Sequence, residues 1–333
     1  MARVSPQAAA AAVEQHGGQK SAAAALGVSR KAIRWALGKL ERDVLPDKHE
    51  PVTELVERRK QQFARYDAAL AARRLIPVRV RESGPIGILH FGDPHIDDDG
   101  TDIAALERHA ALVRNTPGLY GANIGDVTNN WVGRLQRLYG EQSTSAVEAW
   151  RLAEWFMGQV EWLYVVGGNH DAWSGAGDPL RYIMQSQGGP FEYDGCRLSL
   201  QFPNGREVRV NARHDFKGHS QWNTAHGVSK AAQMGWRDHI LVCGHKHVSG
   251  YALNVHPDPT TGIDQGLVSH AIRIASYKRH DRYARELGLP DQSMGPCCVT
   301  IIDPAATSEL TLVTVMWDPE HAADYLTWRR NRG

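Results

Sequence analysis

Residues 86–95 read Ile-Gly-Ile-Leu-His-Phe-Gly-Asp-Pro-His, a short apolar run that ends at a glycine and is followed by a carboxylate and an imidazole. The apolar part has the length and the bounding turn residues of a buried β-strand. Asp93 and His95 come directly after it, two positions apart. Because ligand sites in α/β sheets lie beyond the carboxyl ends of the strands, this stretch predicts a strand that presents Asp93 and His95 at a site.

The same pattern recurs four times further along the chain. The later blocks are Gly125-Asp126 after a strand at 119–124, Gly168-Asn169-His170-Asp171 after 163–166, His214 after 206–212, and Gly244-His245-Lys246-His247 after 240–243. Helical patterns lie between them, at 103–114, 143–158, 178–187 and 223–234, and the last third of the chain predicts strands at 248–256, 267–277, 297–303 and 309–316 before a final helix. Alternating strands and helices, followed by a β-rich half, predict an α/β fold with two sheets covered by helices.

The residue types at these five strand ends are suited to binding metal ions. Carboxylate and amide oxygens occur together with imidazole nitrogens, and no thiolate is present. A mixed N/O set of this kind suits Mn²⁺, Fe or Zn²⁺ better than an all-oxygen Mg²⁺ or Ca²⁺ site. We expect divalent metal here, Mn²⁺ first, with Fe, Zn²⁺ or Mg²⁺ as alternatives. The nearby segment 97–100, Asp-Asp-Asp-Gly, lacks the spacing and terminal glutamate of a calcium loop, and we expect a solvated turn there.

The ordered set D-x-H, G-D-x-x-x-N, G-N-H-D, a lone H and G-H-x-H resembles the calcineurin-like metallophosphoesterase superfamily. The resemblance covers about residues 86–250 and extends toward 316. It implies a two-sheet β-sandwich flanked by helices, which we place at 85–333. It also implies an enzyme, a metal-dependent phosphoric ester hydrolase in which hydroxide held between two metals attacks phosphorus.

The resemblance also implies a role for each residue of the motifs. His170 would be the catalytic residue, as general acid or phosphate stabiliser. The metal ligands would be Asp93, His95 and His247 for one ion, Asn169, His214 and His245 for the other, and Asp126 bridging both. His219 and His226 compete with His214 for the fourth block, but only His214 follows a clean strand.

Other residues near the motifs are candidates for contact with a substrate. We predict that Asn130 and Arg213 bind it, while Asn129 or Asn130 could instead orient His170. Asp171 is expected to hold a turn or to orient a partner rather than to take part in the chemistry.

The N-terminal segment, 1–45, is predicted to be a small all-α domain. Its stretch Ser21-Ala-Ala-Ala-Ala-Leu-Gly-Val-Ser-Arg-Lys-Ala-Ile-Arg34 resembles a helix-turn-helix unit: an Ala-rich helix, a turn and a Ser-capped basic helix. By that resemblance the DNA-binding residues would be Ser29, Arg30, Lys31 and Arg34 at the start of the third helix. The alternative is a three-helix module for protein docking or oligomerisation. Residues 46–84 are predicted to hold a linker and a charged helix.

The formal charge of the chain hides a split between its two ends. The whole chain has 38 Lys+Arg and 37 Asp+Glu, a net charge of +1, but residues 1–80 carry 15 and 8 (+7) and the rest 23 and 29 (−6). A basic segment on an acidic body favours contact with DNA. Four cysteines without a C-x-x-C pair fit a cytoplasmic protein, and no apolar run approaches the length of a membrane span.

These observations leave several functions open. The leading hypothesis is a phosphodiesterase that acts on or near DNA, similar to a nuclease. The alternative is a phosphomonoesterase or small-molecule phosphodiesterase whose N-terminal domain serves oligomerisation or targeting. A homo-oligomer formed through the helix at 52–74 would place two helix-turn-helix units on one DNA duplex. A third hypothesis is a DNA-binding regulator with a purely structural metal site, which His170 and the full ligand set argue against.

Overall fold

The computed structural model describes residues 4–40, 48–131, 133–173, 177–220, 222–258, 260, 262–280, 288 and 295–332. The chain divides into two units, Met1–Ala68 and Ala69–Gly333. The predicted domain borders after residues 45 and 84 remain predictions, and most of the predicted linker lies outside the described residues.

The first unit contains three short helices and the start of a longer one. They are α1 (Pro6–His16), α2 (Gln19–Ala25), α3 (Arg30–Leu40) and α4 (Val52–Arg73). Ser5 caps α1 by accepting a hydrogen bond from the Ala8 amide, and Gly17 ends the helix in the left-handed region, as expected for a glycine beyond a helix end. The core of α1–α3 is formed by one large side chain, Ile33, packed against Ala9, Ala23 and Ala36.

The second unit is built on twelve strands within the described residues. In chain order they are β1 Ile76–Arg79, β2 Ile86–Phe91, β3 Leu119–Asn123, β4 Trp162–Val166, β5 Phe191–Glu192, β6 Cys196–Gln201, β7 Glu207–Ala212, β8 Ile240–Cys243, β9 Gly250–Asp258, β10 Gly262–Arg273, β11 Cys297–Ile302 and β12 Val313–Met316. They form two six-stranded mixed sheets, β1-β6-β7-β8-β10-β9 and β12-β11-β2-β3-β4-β5.

Helices cover the outer faces of both sheets. These helices are α5 Ile103–Asn115, α6 Ala146–Met157, α7 Pro179–Gln187, α8 His226–Met234 and α10 Pro319–Arg330, while the short α9 Glu309–Leu312 contributes Leu312 to the core between the sheets. The inner faces of the two sheets share one apolar cluster. A second cluster joins α5, α6, α7 and α10 to the outer face of the sheet containing β2, and a third joins α8 to the outer face of the other sheet. The predicted two-sheet sandwich flanked by helices is confirmed.

Parallel pairing brings the predicted strand ends to common edges. Strands β2, β3 and β4 are parallel neighbours in one sheet, and β7 and β8 are parallel neighbours in the other. The carboxyl ends of each parallel set therefore lie at the same edge of their sheet. The five strands that precede the motif blocks are those the sequence predicted.

Two predictions of secondary structure need correction. Residues 309–316 were expected to form one strand, but Glu309–Leu312 is a helix capped by the Ser308 hydroxyl, and the strand begins only at Val313. The acidic segment 97–100 is not solvated throughout, because Asp97 is only 1% exposed and accepts a hydrogen bond from the Asn129 amide. Strands β1, β5 and β6 were not predicted.

Candidate metal centre

Loops from both sheets bring the motif residues together as two groups of ligand atoms. One group is Asp93, His95 and His247, and the other is Asp126, His214 and His245; within each, the ligand atoms lie within 4.8 Å of one another. The ligands come from the ends of β2, β3, β7 and β8, positions where the strands restrict side-chain movement.

The first group is a buried pocket of nitrogen and oxygen atoms. His95 Nε2 lies 3.2 Å from His247 Nε2, and His247 Nε2 lies 3.3 Å from Asp93 Oδ2. Asp93 Oδ1 is buried and has no hydrogen-bond partner among the described residues. A buried carboxylate oxygen without a donor is costly, and a bound cation would satisfy it. The residues present therefore fit a divalent ion.

The second group is centred on His214. Its Nε2 lies 3.1 Å from Asp126 Oδ2, 3.1 Å from His245 Nδ1 and 2.9 Å from Asn169 Oδ1. Its Nδ1 lies 2.9 Å from the Ile124 carbonyl oxygen. Because a carbonyl only accepts, that contact places a proton on Nδ1 and leaves Nε2 as the ligand atom, the usual arrangement behind a metal-bound imidazole.

Asp126 lies between the two groups. Its Oδ2 is 3.1 Å from His214 Nε2 in the second group and 3.9 Å from His95 Nε2 in the first. The side chain is buried. A carboxylate in this place fits the predicted bridging role.

The backbone at the ligands is unusual. His95, Asp126, His245 and His247 all have positive φ, between 40° and 69°, as does Asn130. A non-glycine residue is uncommon in this region, and such strain persists where the surrounding structure fixes it, often at functional sites. Among the residues that the structure describes, the non-glycine backbone in this region is therefore confined to the predicted ligands and Asn130.

Two glycines allow the loops to approach the carboxylates. A β-carbon at Gly244 would collide with the carboxylate of Asp93, and one at Gly168 would collide with that of Asp126. The Gly244 loop instead donates the His245 amide to Asp93 Oδ2 at 2.7 Å. Glycine is needed at both positions because the neighbouring backbone contacts the carboxylate directly.

The ionisable groups of the cluster shift one another's pKa values. Burial lowers the pKa of His214, but the carboxylate of Asp126 outweighs it and raises that pKa to about 10. Burial raises the pKa of Asp126, but His214 outweighs it and holds the pKa well below its usual range. Burial and then the neighbouring His247 lower the pKa of His95. Several ionisable side chains with shifted pKa values in one place are typical of functional sites.

His170 lies beside the two groups and its ring is fixed on three sides. Its Nδ1 is 2.6 Å from the Asn129 carbonyl oxygen, and its backbone amide donates to Asp126 Oδ1 at 2.9 Å. The ring makes edge-to-face contacts with His95 and Trp131, with centroids 5.1 and 5.4 Å away. The predicted catalytic residue therefore lies next to ligands of both groups.

The structure assigns other contacts to the two predicted substrate-binding residues. Asn130 Nδ2 donates to the His170 carbonyl oxygen at 2.8 Å. Arg213 donates to the Asp194 carbonyl oxygen at 2.9 Å, and its guanidinium lies 5.0 Å from the ring centroid of Trp236. Asn130 thus holds the His170 loop, and contact of either residue with a substrate remains a prediction.

Asp171 supports the site from behind. It is fully buried and accepts hydrogen bonds from the amides of Gly168 and Val127. Burial, and then the charge of Asp126, raises its pKa to about 7. It therefore ties the block after β4 to the block after β3, which is the turn-holding role that the sequence predicted.

Two competing histidines lie outside the ligand groups. Among the described residues, the groups include His214 and neither His219 nor His226. His219 is exposed. The choice of His214 on the basis of its preceding strand agrees with this geometry.

The predicted DNA-binding residues are all exposed. Ser29, Arg30, Lys31 and Arg34 lie at the start of α3 on its solvent side. The Ser29 hydroxyl accepts from the Ala32 amide at 3.1 Å, so it serves as the helix cap. No described helix of the protein is long and apolar enough to cross a membrane.

Comparison with known proteins finds similarity only among solved structures. No protein-family model and no curated protein matches the chain. Calcineurin-like phosphoesterase YfkN from Bacillus subtilis matches at 11% identity over 76% of this chain and 100% of its own, with a TM-score of 0.34. Haemophilus influenzae NAD nucleotidase matches at 9% identity over 70% and 49% (TM-score 0.34), and Pseudomonas putida nuclease MPE at 15% over 55% and 71% (TM-score 0.28). The chain thus spans about half of the nucleotidase.

Proposed function

We propose that this protein is a calcineurin-like metallophosphoesterase, a hydrolase of phosphoric esters that depends on two divalent metal ions. The observation that carries the proposal is the pair of adjacent ligand groups with Asp126 between them and His170 at their side. Strained backbone at four ligands supports it, because a structural cluster of histidines has no need of that strain.

The residues divide between the two ions as their distances suggest. Asp93, His95 and His247 hold one, Asn169, His214 and His245 hold the other, and Asp126 is shared. This nitrogen-and-oxygen set favours Mn²⁺, Fe or Zn²⁺. When bound, two such ions polarise the phosphoryl oxygens, stabilise the developing negative charge and activate water.

His170 is the residue that handles a proton. The Asn129 carbonyl oxygen accepts from Nδ1, so Nε2 is the ring nitrogen that gives a proton to the leaving oxygen or stabilises charge on the phosphoryl group. The contacts with Trp131 and His95 hold the ring in one orientation. A fixed general acid of this kind supplies roughly 10²–10⁴-fold of the rate.

The substrate class is proposed to be a phosphodiester, on or near DNA. The support is the basic first part of the chain, +7 over residues 1–80, and the exposed Arg30, Lys31 and Arg34 on one helix end. Phosphate contacts by such residues give sequence-independent, salt-dependent affinity. The alternative, a small phosphomonoester or diester, is favoured by the acidic remainder of the chain, −6 over residues 81–333.

A panel of substrates with the Mn²⁺-loaded protein separates these possibilities. Bis(p-nitrophenyl) phosphate, p-nitrophenyl phosphate, and single- and double-stranded DNA are compared at equal metal concentration. We expect turnover of the diester and cleavage of DNA, and loss of both in His170→Ala. If DNA stays intact while a simple ester is hydrolysed, the proposed hydrolase activity stands and the proposed action on DNA is excluded. Absence of turnover with every substrate would contradict the proposed enzyme.

A further inference from the structure

Helix α4 has an unusually open surface. It is 22 residues long and none of its side chains is buried. Its large apolar residues are 38% to 73% exposed, namely Val52, Leu55, Val56, Phe63, Tyr66 and Leu70. Because helices in proteins are stabilised chiefly by packing one face, a helix with this many exposed apolar residues points to a packing partner.

Five of those residues lie on one seam. The steps from Val52 through Val56, Phe63 and Tyr66 to Leu70 are four, seven, three and four residues. These are the spacings of a heptad repeat with Val56, Phe63 and Leu70 at position a and Val52 and Tyr66 at position d. The remaining d position holds Arg59, whose aliphatic stem can pack along an apolar seam. A period of 3.5 keeps a seam facing another helix over its length, so the spacing favours a helix as the packing partner.

We propose that α4 is a dimerisation helix that pairs in antiparallel direction with α4 of a second copy of this chain. Lys60 and Asp67 both occupy position e of the heptad. In an antiparallel pair, e residues face e residues, so Lys60 of each copy meets Asp67 of the other. In the same register Phe63 packs against Tyr66, and the stem of Arg59 lies against Leu70. In a parallel pair, both charges would face uncharged g residues, Leu55 and Gln62. Charges beside the seam set the orientation of a coiled coil.

The dimer gives one assembly two copies of the three-helix unit. A single unit that contacts a few phosphates binds DNA weakly, and a second, linked unit raises the overall affinity without any new kind of contact. Dimerisation through α4 would therefore strengthen the proposed binding to DNA. The evidence for the dimer itself is the seam of α4 and does not depend on DNA binding.

The first test is the mass of the full-length protein in solution, by sedimentation equilibrium. We expect a dimer of the 36.9 kDa chain. Phe63→Glu places a charge in the seam and should give a monomer, while Gln61→Glu adds the same charge on the opposite face of the helix and should leave the dimer. A monomeric wild type at roughly 100 µM, well above a typical interface's dissociation constant, or a dimer that survives Phe63→Glu, would overturn the proposal.

The second test concerns the direction of pairing. Asp67→Lys should weaken the dimer about tenfold, because two charge pairs become repulsive, each worth up to about 1 kcal/mol. Adding Lys60→Glu should restore it. Lys60 also lies 3.3 Å from Glu57 within the chain, but that pair is exposed and contributes little. Failure of the double reversal to restore the dimer would exclude the antiparallel pair.

An independent observation concerns Asp97, a buried carboxylate behind the metal centre. Its Oδ1 accepts from the Asn129 amide at 2.7 Å, and its Oδ2 accepts from Gln142 Nε2 at 3.3 Å. Gln142 Oε1 in turn accepts from Trp131 Nε1 at 2.7 Å and Asn129 Nδ2 at 3.2 Å. Asp97 and Gln142 together therefore hold both ends of the loop 129–131.

The loop 129–131 contacts the His170 ring directly. The Asn129 carbonyl accepts from His170 Nδ1, and the Trp131 ring packs on its edge. We infer that Asp97 is a positioning residue for His170, acting through Asn129. The inference rests on the proposed function. A shift of the Asn129 carbonyl would release the His170 ring from the orientation that directs its Nε2 toward a substrate.

A double-mutant cycle tests this role in the full-length, Mn²⁺-loaded protein. Asp97→Ala should lower kcat for bis(p-nitrophenyl) phosphate about 10–100-fold, the range for outer partners of a functional histidine, with KM within about threefold. In the His170→Ala background the same substitution should cost less than about threefold, because residues that act as a unit are non-additive. The bound metal should stay at the wild-type level throughout.

Further variants guard against a general effect on folding. Asp97→Asn keeps an acceptor for the Asn129 amide and should recover part of the rate, and Gln142→Ala, at a half-buried site, should show the same dependence on His170. Asp99→Asn is the matched control, since Asp99 is exposed and bonds Ser143. Equal losses with and without His170 would overturn the positioning role alone. A wild type that turns over no ester would overturn the proposed function and this inference with it.

Discussion

At the scale of single residues, the sequence could predict which side chains come together in the two groups, because each block of candidate ligands comes just after a strand. The local sequence contains both signals, an apolar run and a donor beyond a glycine, as at Gly92-Asp93 and Gly244-His245. Asp97 lacks such a signal. Its burial is produced by the loop 129–131 and by Gln142, which lie over thirty positions away in the chain, and no local pattern encodes such packing.

The shared position of Asp126 leads to a prediction about metal content. Asp126→Ala removes an oxygen that lies near both groups, so both ions should dissociate, whereas Asn169→Ala removes a ligand of the second group alone and should leave about one ion of two. Metal per chain is measured by mass spectrometry after dialysis at fixed free Mn²⁺. His219→Ala is the control and should keep both ions. Loss of a single ion from Asp126→Ala would contradict the bridging position.

His90 leads to a prediction about stability against pH. It is fully buried, with Nδ1 2.7 Å from the Tyr164 hydroxyl and Nε2 2.9 Å from that of Thr300, and burial lowers its pKa to about 3. Between pH 6.5 and about 3 the unfolded chain binds a proton there and the folded chain does not. Stability should therefore fall on acidification in this window, by up to about 1.4 kcal/mol per pH unit from this residue.

His90→Gln removes that titration. Urea unfolding of the metal-free protein at about pH 7, 6 and 5 should show a shallower loss of stability in the variant than in wild type, whatever the difference at neutral pH. His219→Gln changes an exposed histidine instead and should keep the wild-type slope. Equal slopes in His90→Gln and wild type would show that His90 is not the neutral, buried group described above.

At the scale of elements, periodicity in the sequence predicted the central strands and most helices. Edge strands such as β1 and the short elements could not be predicted in this way, because they form through pairing with distant parts of the chain. Strand β1 pairs with β6 across more than 100 residues of chain, a pairing that the sequence near Ile76 does not encode. The stretch 309–316 is apolar enough for one strand, but Ser308 caps a helical turn first. Capping overrides β-propensity over such a short segment because one hydrogen bond satisfies an end amide.

Helix α6 offers a test of capping at this scale. Ser145 and Glu148 form a reciprocal capping box, with the Ser145 hydroxyl accepting from the Glu148 amide and the Glu148 carboxylate accepting from the Ser145 amide. Ser145→Ala should lower the free energy of unfolding by about 1 kcal/mol. Urea denaturation measures it, and Ser145→Asp should retain most of the stability because aspartate is an equally good cap. A loss as large in the aspartate variant would show that capping is not the cause.

At the scale of the whole molecule, the near-zero net charge is the sum of two opposed parts. The acidic part includes the carboxylates of the metal centre, and bound cations would offset some of its −6. The basic part places Arg30, Lys31 and Arg34 at one exposed helix end. On the proposed function, the basic part would contact phosphate backbones and the acidic part would hold the site of phosphate chemistry, a division that composition alone conceals.

This division predicts how DNA affinity should depend on salt. Replacing Arg30, Lys31 and Arg34 by alanine in the full-length protein should weaken DNA binding and lower the slope of log K against log[salt] by roughly one for each phosphate that the variant no longer neutralises. Hydrolysis of bis(p-nitrophenyl) phosphate should be unchanged, because the substitutions lie outside the metal centre. The control removes three equally exposed arginines of the larger unit, Arg108, Arg151 and Arg237. If the control lowers the slope as much as the α3 variant does, DNA affinity reflects net charge alone, and the N-terminal unit loses its proposed role in holding the nucleic acid near the metal centre.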